Sequence, residues 1–395
     1  MHLHTIFLLL DWLIALLWIT GTLVALRNLP RIPNLLNQKY AASLPPSTSP
    51  VITVIVPARN EEEAVEAGLR SLLQIDAVPI EIIAVNDRST DATGGIMERM
   101  IPEASAAGKS LRVLHIPELP EGWMGKTHAM AFAARQASTP WLLFTDADIL
   151  FAPDALLRAL NLAEAETADH IVVFPTLILE GFGERMMIAF FQGIAALSSR
   201  FWRIPDPKAK ESMGVGAFNM VRADVYHAMG GFEALRMEVL EDLRFGREVK
   251  SQGFRQRVAF GRDLVRVRWA VGIAGVIRNI TKNFFAVFRF RVGITIAVCL
   301  ALLLLCAGPF VACAVDRRLW MPALCMLVML LLLYRYYRRF TGIPVGYAVT
   351  FPIAASLVVY SILRSMAVTL IRGGVKWRGT LYPLEELRKH AGPLR

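Results

Sequence analysis

The sequence predicts an α/β domain with a mostly parallel sheet, set between apolar segments at the two ends of the chain. Three observations predict it. From residue 51 onward, short β-branched runs alternate with helical patterns, the order expected of strand–helix–strand units. One run, Trp141-Leu142-Leu143-Phe144, is apolar without alternation, as a strand covered on both faces must be, and it leads into Thr145, Asp146 and Asp148. Finally, 55% of the 395 residues are hydrophobic, and the excess sits in residues 1–27 and beyond residue 292.

Taken in order, Ile6 to Leu26 is an apolar run broken by Asp11 and a few small polar residues. It is long enough for a membrane helix at about 20 residues per span. No Lys or Arg precedes it, which argues against a cleaved signal peptide. Arg27, Arg31 and Lys39 follow, so the positive-inside bias puts the N-terminus outside and the rest in the cytosol. Residues 28–50 read as a linker ending in the Pro- and Ser-rich Ser43 to Pro50.

The α/β domain spans 51–270. Val51 to Val56 is the first strand, ending at Pro57; Asn60 is expected to cap a helix whose first turn holds Glu61, Glu62 and Glu63. Ile80 to Val85 is the second strand, followed by the polar loop Asn86 to Asp91, at the strand end where such sheets bind ligands. Leu111 to Ile116 is the third. Gly122-Trp123-Met124-Gly125-Lys126 then opens a helix to Ala137 and offers backbone N–H groups and a cation to a phosphate, without the spacing of a P-loop. His128, one turn into an apolar helix, is expected to pack.

After the Trp141 strand, the two acids at i and i+2 can share a hard divalent cation, Mg²⁺ or Mn²⁺, or can form an Asx-type turn before the helix from Asp154. Ile171 to Phe174 is a further strand. Met186 to Trp202 reads as a helix on the membrane surface or under the sheet. Gly214 to Asn219 permits close backbone approach, leaving Asn219 and Arg222 as candidates to face a ligand. Glu238 to Arg244 begins a helix, and one of the adjacent acids Glu241 and Asp242 must point into or beside the fold because apolar residues flank both.

Residues 271–292 form a basic, aromatic interfacial helix, and 293–371 hold the apolar runs Gly293 to Val315, Trp320 to Leu333 and Pro344 to Ile371. The net charge of +10 gathers beside these runs, as expected of flanks meeting anionic lipid and not of nucleic-acid binding. Three full crossings would leave the basic tail, residues 372–395, outside; a re-entrant or hairpin segment at Gly342 to Pro352 would return it to the cytosol. Cys299, Cys306, Cys313 and Cys325 read as small residues packing in membrane helices, with no disulfide framework.

Four marks in order, Val56-Pro57-Ala58-Arg59-Asn60-Glu61, Asp87 with Ser89-Thr90-Asp91, Asp146-Ala147-Asp148 and Glu241-Asp242, resemble the family 2 glycosyltransferases of GT-A fold. The Gly122 to Lys126 stretch and Trp377 to Tyr382 resemble the membrane-bound branch, which includes ceramide, carotenoid and hopanoid-associated transferases. The resemblance implies a GT-A-like Rossmann-type mixed sheet with helices on both faces. It implies a donor site of Pro57, Arg59, Asn60, Glu61, Asp87, Lys126 and Asp146, a metal on Asp148 with Asp146, and Asp242 as general base with Glu241 the alternative. It further implies a nucleotide-sugar donor, UDP-linked in the first instance, and a lipid acceptor met at a cytoplasmic-facing domain of a multi-pass protein of the cell (inner) membrane. Arg268-Trp269 match the end of the Gln-x-x-Arg-Trp motif of processive members, but Val265 stands where Gln belongs, which favours single transfer over polymer synthesis. Asn86 stands where an acid is often found, so base recognition rests on Asp87.

Overall fold

The computed structural model describes residues 2–42 and 51–390, so the Ser43 to Pro50 linker and the end of the tail lie outside the described residues. The chain forms two compact units, one of Ile32–Ile178 with Phe201–Arg268, the other of Met1–Arg31, Leu179–Arg200 and Trp269–Arg395. The domain read as 51–270 is therefore interrupted by residues 179–200 and extended at its start. The extension has a local cause: Asn34 bridges to Phe260, and Leu35 N–H donates to the Phe260 carbonyl (2.8 Å).

In the first unit the strands are β1 (Ile52–Ala58), β2 (Ile80–Asp87), β3 (Ser110–Ile116), β4 (Trp141–Phe144), β5 (Ile149–Phe151), β6 (His170–Phe174), β7 (Thr176–Leu177), β8 (Asn219–Arg222), β9 (Gln256–Phe260) and β10 (Val265–Val267). A seven-stranded sheet runs β3-β2-β1-β4-β8-β6-β9, and a small one β5-β10-β7. In the large sheet only β8 is antiparallel to its neighbours β4 and β6. The fold is the GT-A-like mixed α/β sheet expected from the sequence.

Parallel pairing decides where the site lies. Ile55 pairs with Phe144 and Ala58 with Asn86, so the carboxyl ends of β1, β2 and β4 share one edge. Under that edge the ring of Phe144 lies 4.9 Å from Phe232 and 5.9 Å from Phe245, all three fully buried. Phe144 precedes the Asp146 turn and Phe245 follows Asp242, so this aromatic core holds together the two segments that carry the acids.

Two local readings are corrected. The helix after β1 starts at Val65 with no side-chain cap, not at Asn60. Asn60 instead takes a left-handed φ of 54° and its Oδ1 accepts the Thr90 N–H (2.9 Å), because the neighbouring loop competes for the oxygen a cap would need. The helix predicted from Met186 starts earlier, running Phe182–Ser198, and packs within the helical unit, where Phe190 meets Phe351 at 4.9 Å.

Among the described residues, the second unit has three helices long and apolar enough to cross a membrane: Thr5–Arg31, Arg317–Thr341 and Val345–Arg372. A fourth stretch, Val292–Cys306 with Gly308–Val315, bends by 53° where Gly308-Pro309 interrupts the helix. Trp18 Nε1 donates to the Leu305 carbonyl (2.8 Å) beside that bend, and its ring meets Phe351 edge-on at 5.2 Å. The chain between Thr341 and Phe351 is a short 3-10 turn, Val345–Thr350, behind Gly342 at φ 71°. After Arg372 a hairpin of Gly374–Trp377 and Thr380–Pro383 leads to the Leu384–His390 helix, whose Arg388 donates to the Phe290 carbonyl (3.1 Å). All four cysteines are free, and Cys299 and Cys306 are buried.

Candidate active site

The turn after β4 is pinned by backbone groups before any side chain acts. Thr145 N–H donates to the Ile55 carbonyl (3.2 Å), its hydroxyl to the Ala217 carbonyl (2.8 Å), and Asp146 N–H to the Gly216 carbonyl (3.2 Å). Asp146 and Asp148 thereby leave the sheet edge in a fixed direction. Opposite, the helix Gly125–Ala134 opens with no room for a side chain at its first residue, since a Cβ on Gly125 would run into the Asp87 carboxylate.

Lys126 follows at once and bridges two acids, with Nζ 2.5 Å from Asp146 Oδ1 and 2.7 Å from Glu241 Oε1. The pairing explains why a lysine is stable at a helix start that disfavours cations. Glu241 is the member of the adjacent acid pair that points into the fold. Asp242, half-buried, is held by backbone: its Oδ2 accepts the Gly216 N–H (2.9 Å) and its Oδ1 the Leu243 N–H (2.7 Å). Gly216 thus serves Asp146 through its carbonyl and Asp242 through its N–H. A Cβ there would sit 2.8 Å from Asp146 Oδ2 and 3.2 Å from Lys126 Nζ. Gly216 was legible only as part of a Gly-x-Gly pattern that allows close backbone approach.

Electrostatics follow from this crowding. Burial, then the Glu241 carboxylate, push the Asp242 carboxyl up to about 7, against the pull of Lys126. Burial, then the charges of Asp146 and Glu61, push Asp148 up to about 6. Burial works against the Lys126 ammonium, yet Asp146, Glu241 and Asp242 outweigh it and hold the lysine above its ordinary range.

At the β1 and β2 ends, Asp87 is buried and gripped by Arg88 through two bonds of 2.7 and 2.9 Å, a pairing the sequence reading did not anticipate. Glu61 N–H donates to Thr93 Oγ1 (2.8 Å) and Asn60 N–H to Ser89 Oγ (3.1 Å), so the segment of Pro57, Arg59, Asn60 and Glu61 is tied to the loop after β2. Asp91 Oδ1 accepts the N–H (3.0 Å) and the hydroxyl (2.6 Å) of Thr93, which tightens the turn before the next helix. His128 packs between Trp123 and Phe132. Asn219 and Arg222 do not face a ligand site: Asn219 is buried with its Oδ1 2.9 Å from His170 Nε2, and Arg222 pairs with Asp224 (2.8 Å).

The charges of Asp146 and Glu61 both bear on Asp148, and carboxylate oxygens are the donors a hard divalent ion takes. Among the described residues no group of three His, Cys, Asp or Glu side chains is arranged to hold an ion by itself, so an ion here needs oxygen ligands from a bound molecule as well. The edge as a whole brings together a cation, a carboxylate with a near-neutral pKa, and acids suited to a metal, the parts needed to take a proton from a hydroxyl while anionic charge develops nearby.

Residues 53–244 match the family model for glycosyl transferase family 2. The chain is 27% identical over 220 residues to a 4,4'-diaponeurosporenoate glycosyltransferase of Staphylococcus aureus (strain USA300), a match covering 55% of this chain and 56% of that protein. It thus spans about half the length of the curated relatives it matches. In three dimensions it is similar to a mannosyltransferase of Pyrobaculum calidifontis in complex with GDP-Man and Mn²⁺, with a TM-score of 0.54 at 19% identity, over 88% of this chain and 98% of that one.

Proposed function

We propose, on the premise that residues 53–244 are a family 2 glycosyltransferase domain, that the protein transfers one sugar from a nucleotide-sugar donor, UDP-linked in the first instance, to a hydroxyl of a membrane lipid, with inversion at the anomeric carbon. The observation that carries this reading is the Asp242 carboxylate, held by the Gly216 and Leu243 N–H groups beside a Lys126 already committed to Asp146 and Glu241. Asp242 takes the proton from the acceptor hydroxyl as its oxygen attacks the anomeric carbon from the face opposite the leaving nucleoside diphosphate. Lys126 faces the charge that develops on the departing diphosphate. Glu241, engaged with Lys126, is the weaker candidate for the base.

Asp148 and Asp146 would hold Mg²⁺ or Mn²⁺, and the ion when bound would neutralise diphosphate oxygens. Pro57, Arg59, Asn60, Glu61 and Asp87 would surround the nucleoside. The relative named a 4,4'-diaponeurosporenoate glycosyltransferase supports a lipid acceptor here.

We further propose a multi-pass protein with its sheet domain in the cytosol. Trp18 stands at the middle of Thr5–Arg31, so its partners Leu305 and Phe351 belong at mid-depth on this reading. The Phe351–Arg372 helix would then start inside the bilayer and return to the side it came from, with Gly342 to Thr350 as the re-entrant turn. About ten helical residues cover the roughly 15 Å from mid-depth to the surface, which brings the exposed Arg364 to the interface. The Arg388 bond to Phe290 supports the same side for the tail and for the start of the Val292–Cys306 helix. Every basic cluster except Arg317-Arg318 is then cytosolic, as the charge bias requires.

The test is transfer by the purified full-length protein in lipid, with labelled UDP- and GDP-sugars, a lipid extract as acceptor and Mn²⁺ or Mg²⁺. A lipid product heavier by one sugar is expected. A long polymer would favour the processive reading, and wild-type protein that neither binds nor consumes any nucleotide sugar would sink the proposal.

A further inference from the structure

A buried polar chain runs from the core to the loop that carries Gly216, and its direction can be worked out donor by donor. Met213 has only an N–H to give at this point, so the atom it meets at 2.8 Å must be the Gln256 oxygen. The Gly246 carbonyl can only accept, so the Gln256 nitrogen faces it (3.1 Å). The second hydrogen on that nitrogen then goes to His170 Nδ1, 2.7 Å away, which must be bare. His170 carries its proton on Nε2 and donates it to Asn219 Oδ1 (2.9 Å). His170 and Gln256 are fully buried, and Asn219 nearly so. Burial holds the His170 pKa down to about 4, so the ring stays neutral, as this sequence of donors demands.

The chain ends where the candidate base is held. Met213 starts the Met213 to Ala217 loop, whose Gly216 gives its N–H to Asp242 and its carbonyl to the Asp146 N–H. Gly246, the other group bound by Gln256, lies one turn beyond Asp242 on the same helix, Glu241–Ser251. Both contacts between loop and helix need bare backbone. A Cβ on Gly214 would overlap the Asp242 carbonyl, and one on Gly246 would overlap the Met213 carbonyl. Gln256 therefore clasps the loop and the helix to each other at their closest approach, and little else could do so without filling that space.

We infer that Gln256, oriented by neutral His170, is a positioning residue that sets the Asp242 carboxylate through the Met213 to Gly216 loop. The inference rests on the glycosyl-transfer reading for its catalytic consequence and on hydrogen bonds alone for the clasp. Misplacement of a reacting group by an ångström costs roughly 100-fold in rate, so Gln256→Leu, which keeps the bulk and removes the bonds to Met213, Gly246 and His170, should lower kcat by about 10- to 100-fold while donor binding changes little.

The experiment combines hydrogen exchange with steady-state transfer on the full-length protein. In Gln256→Leu, the Met213 and Gly216 amides should lose protection, and kcat should fall with the donor Kd held. Leu111→Ala, on β3 at the opposite edge of the sheet from β6 and β9, should lower thermal stability without the selective kcat loss. Gln256→Glu should recover part of the rate: one carboxylate oxygen accepts the Met213 N–H, and the neutral His170 ring meets the other by moving its proton from Nε2 to Nδ1 while Asn219 turns its amide N–H to Nε2, but the Gly246 carbonyl loses its donor. This variant also serves if Gln256→Leu does not fold. Unchanged protection at Met213 and Gly216 in Gln256→Leu would overturn the clasp. Lost protection with an undiminished kcat, or kcat and donor affinity falling together, would overturn the positioning role. A wild-type protein that transfers no sugar would instead refute the glycosyltransferase reading, with the exchange data still deciding the clasp.

Discussion

Lys126→Met keeps a side chain of similar reach and removes the cation that stands between Asp146 and Glu241 at 2.5 and 2.7 Å. With the lysine present, Asp242 is pushed up to about 7, so its carboxylate is near half-ionised at neutral pH. An opposite charge at this range lowers a carboxylate pKa by about 1–3 units, so removing it should lift Asp242 by at least about one unit. The ionised fraction at pH 7 then drops from about a half to about a tenth, a roughly fivefold loss from the base alone. Loss of the charge facing the diphosphate adds a pH-independent factor on the order of 100-fold. The assay is kcat against pH with saturating nucleotide sugar. Wild type should lose activity as pH falls through about 7, because the base becomes protonated, and the variant's acid limb should lie at least a unit higher with a lower plateau. An acid limb that stays in place in Lys126→Met, at whatever plateau, would refute the coupling of Lys126 to Asp242.

Asp148→Asn should abolish the response to added Mn²⁺ or Mg²⁺ and lower transfer by about 100-fold or more, while the metal-free protein at neutral pH melts higher because a buried charge is removed; an unaltered metal titration would remove Asp148 from the metal. The carboxyls of Asp148 and Asp242 are raised to about 6 and about 7, so between their unfolded values near 4 and those figures the folded state binds more protons than the unfolded one. Stability should therefore fall as pH rises through that window, and saturating Mn²⁺ should restore it by stabilising ionised Asp148; melting temperature against pH, with and without Mn²⁺, checks both signs. For the membrane topology, single cysteines at Arg317 and Arg378 in a background lacking the native cysteines should react with an impermeant maleimide from opposite sides, Arg317→Cys from outside and Arg378→Cys only after permeabilisation. Labelling of both from outside would mean that the Phe351–Arg372 helix crosses completely.

Much of this protein is written locally. The unbroken apolar run of β4 announces a strand buried on both faces, and the acids that follow it must then emerge at a sheet edge; the alternation of strands and helices makes that sheet mostly parallel and its carboxyl edge the place for a site. Apolar length alone marks the candidate spans, although it could not say that the helix breaks at Gly308-Pro309 or that Trp18 gathers Leu305 and Phe351 around itself. The glycines at 214, 216 and 246 could be read as room for backbone, not as room for which backbone.

Pairing between distant charges was decided by the tertiary structure. Nothing near Lys126 in the chain says that it will reach both Asp146 and Glu241. The cause is the antiparallel insertion of β8 between β4 and β6, which carries the Met213 to Ala217 loop across to the Asp146 N–H and leaves one residue, Gly216, to bind the helix that bears Asp242. Sequence periodicity records how often a residue is buried; it does not record which of two adjacent acids meets the Lys126 ammonium, because that depends on strand order and on hydrogen-bond directions set by groups far along the chain.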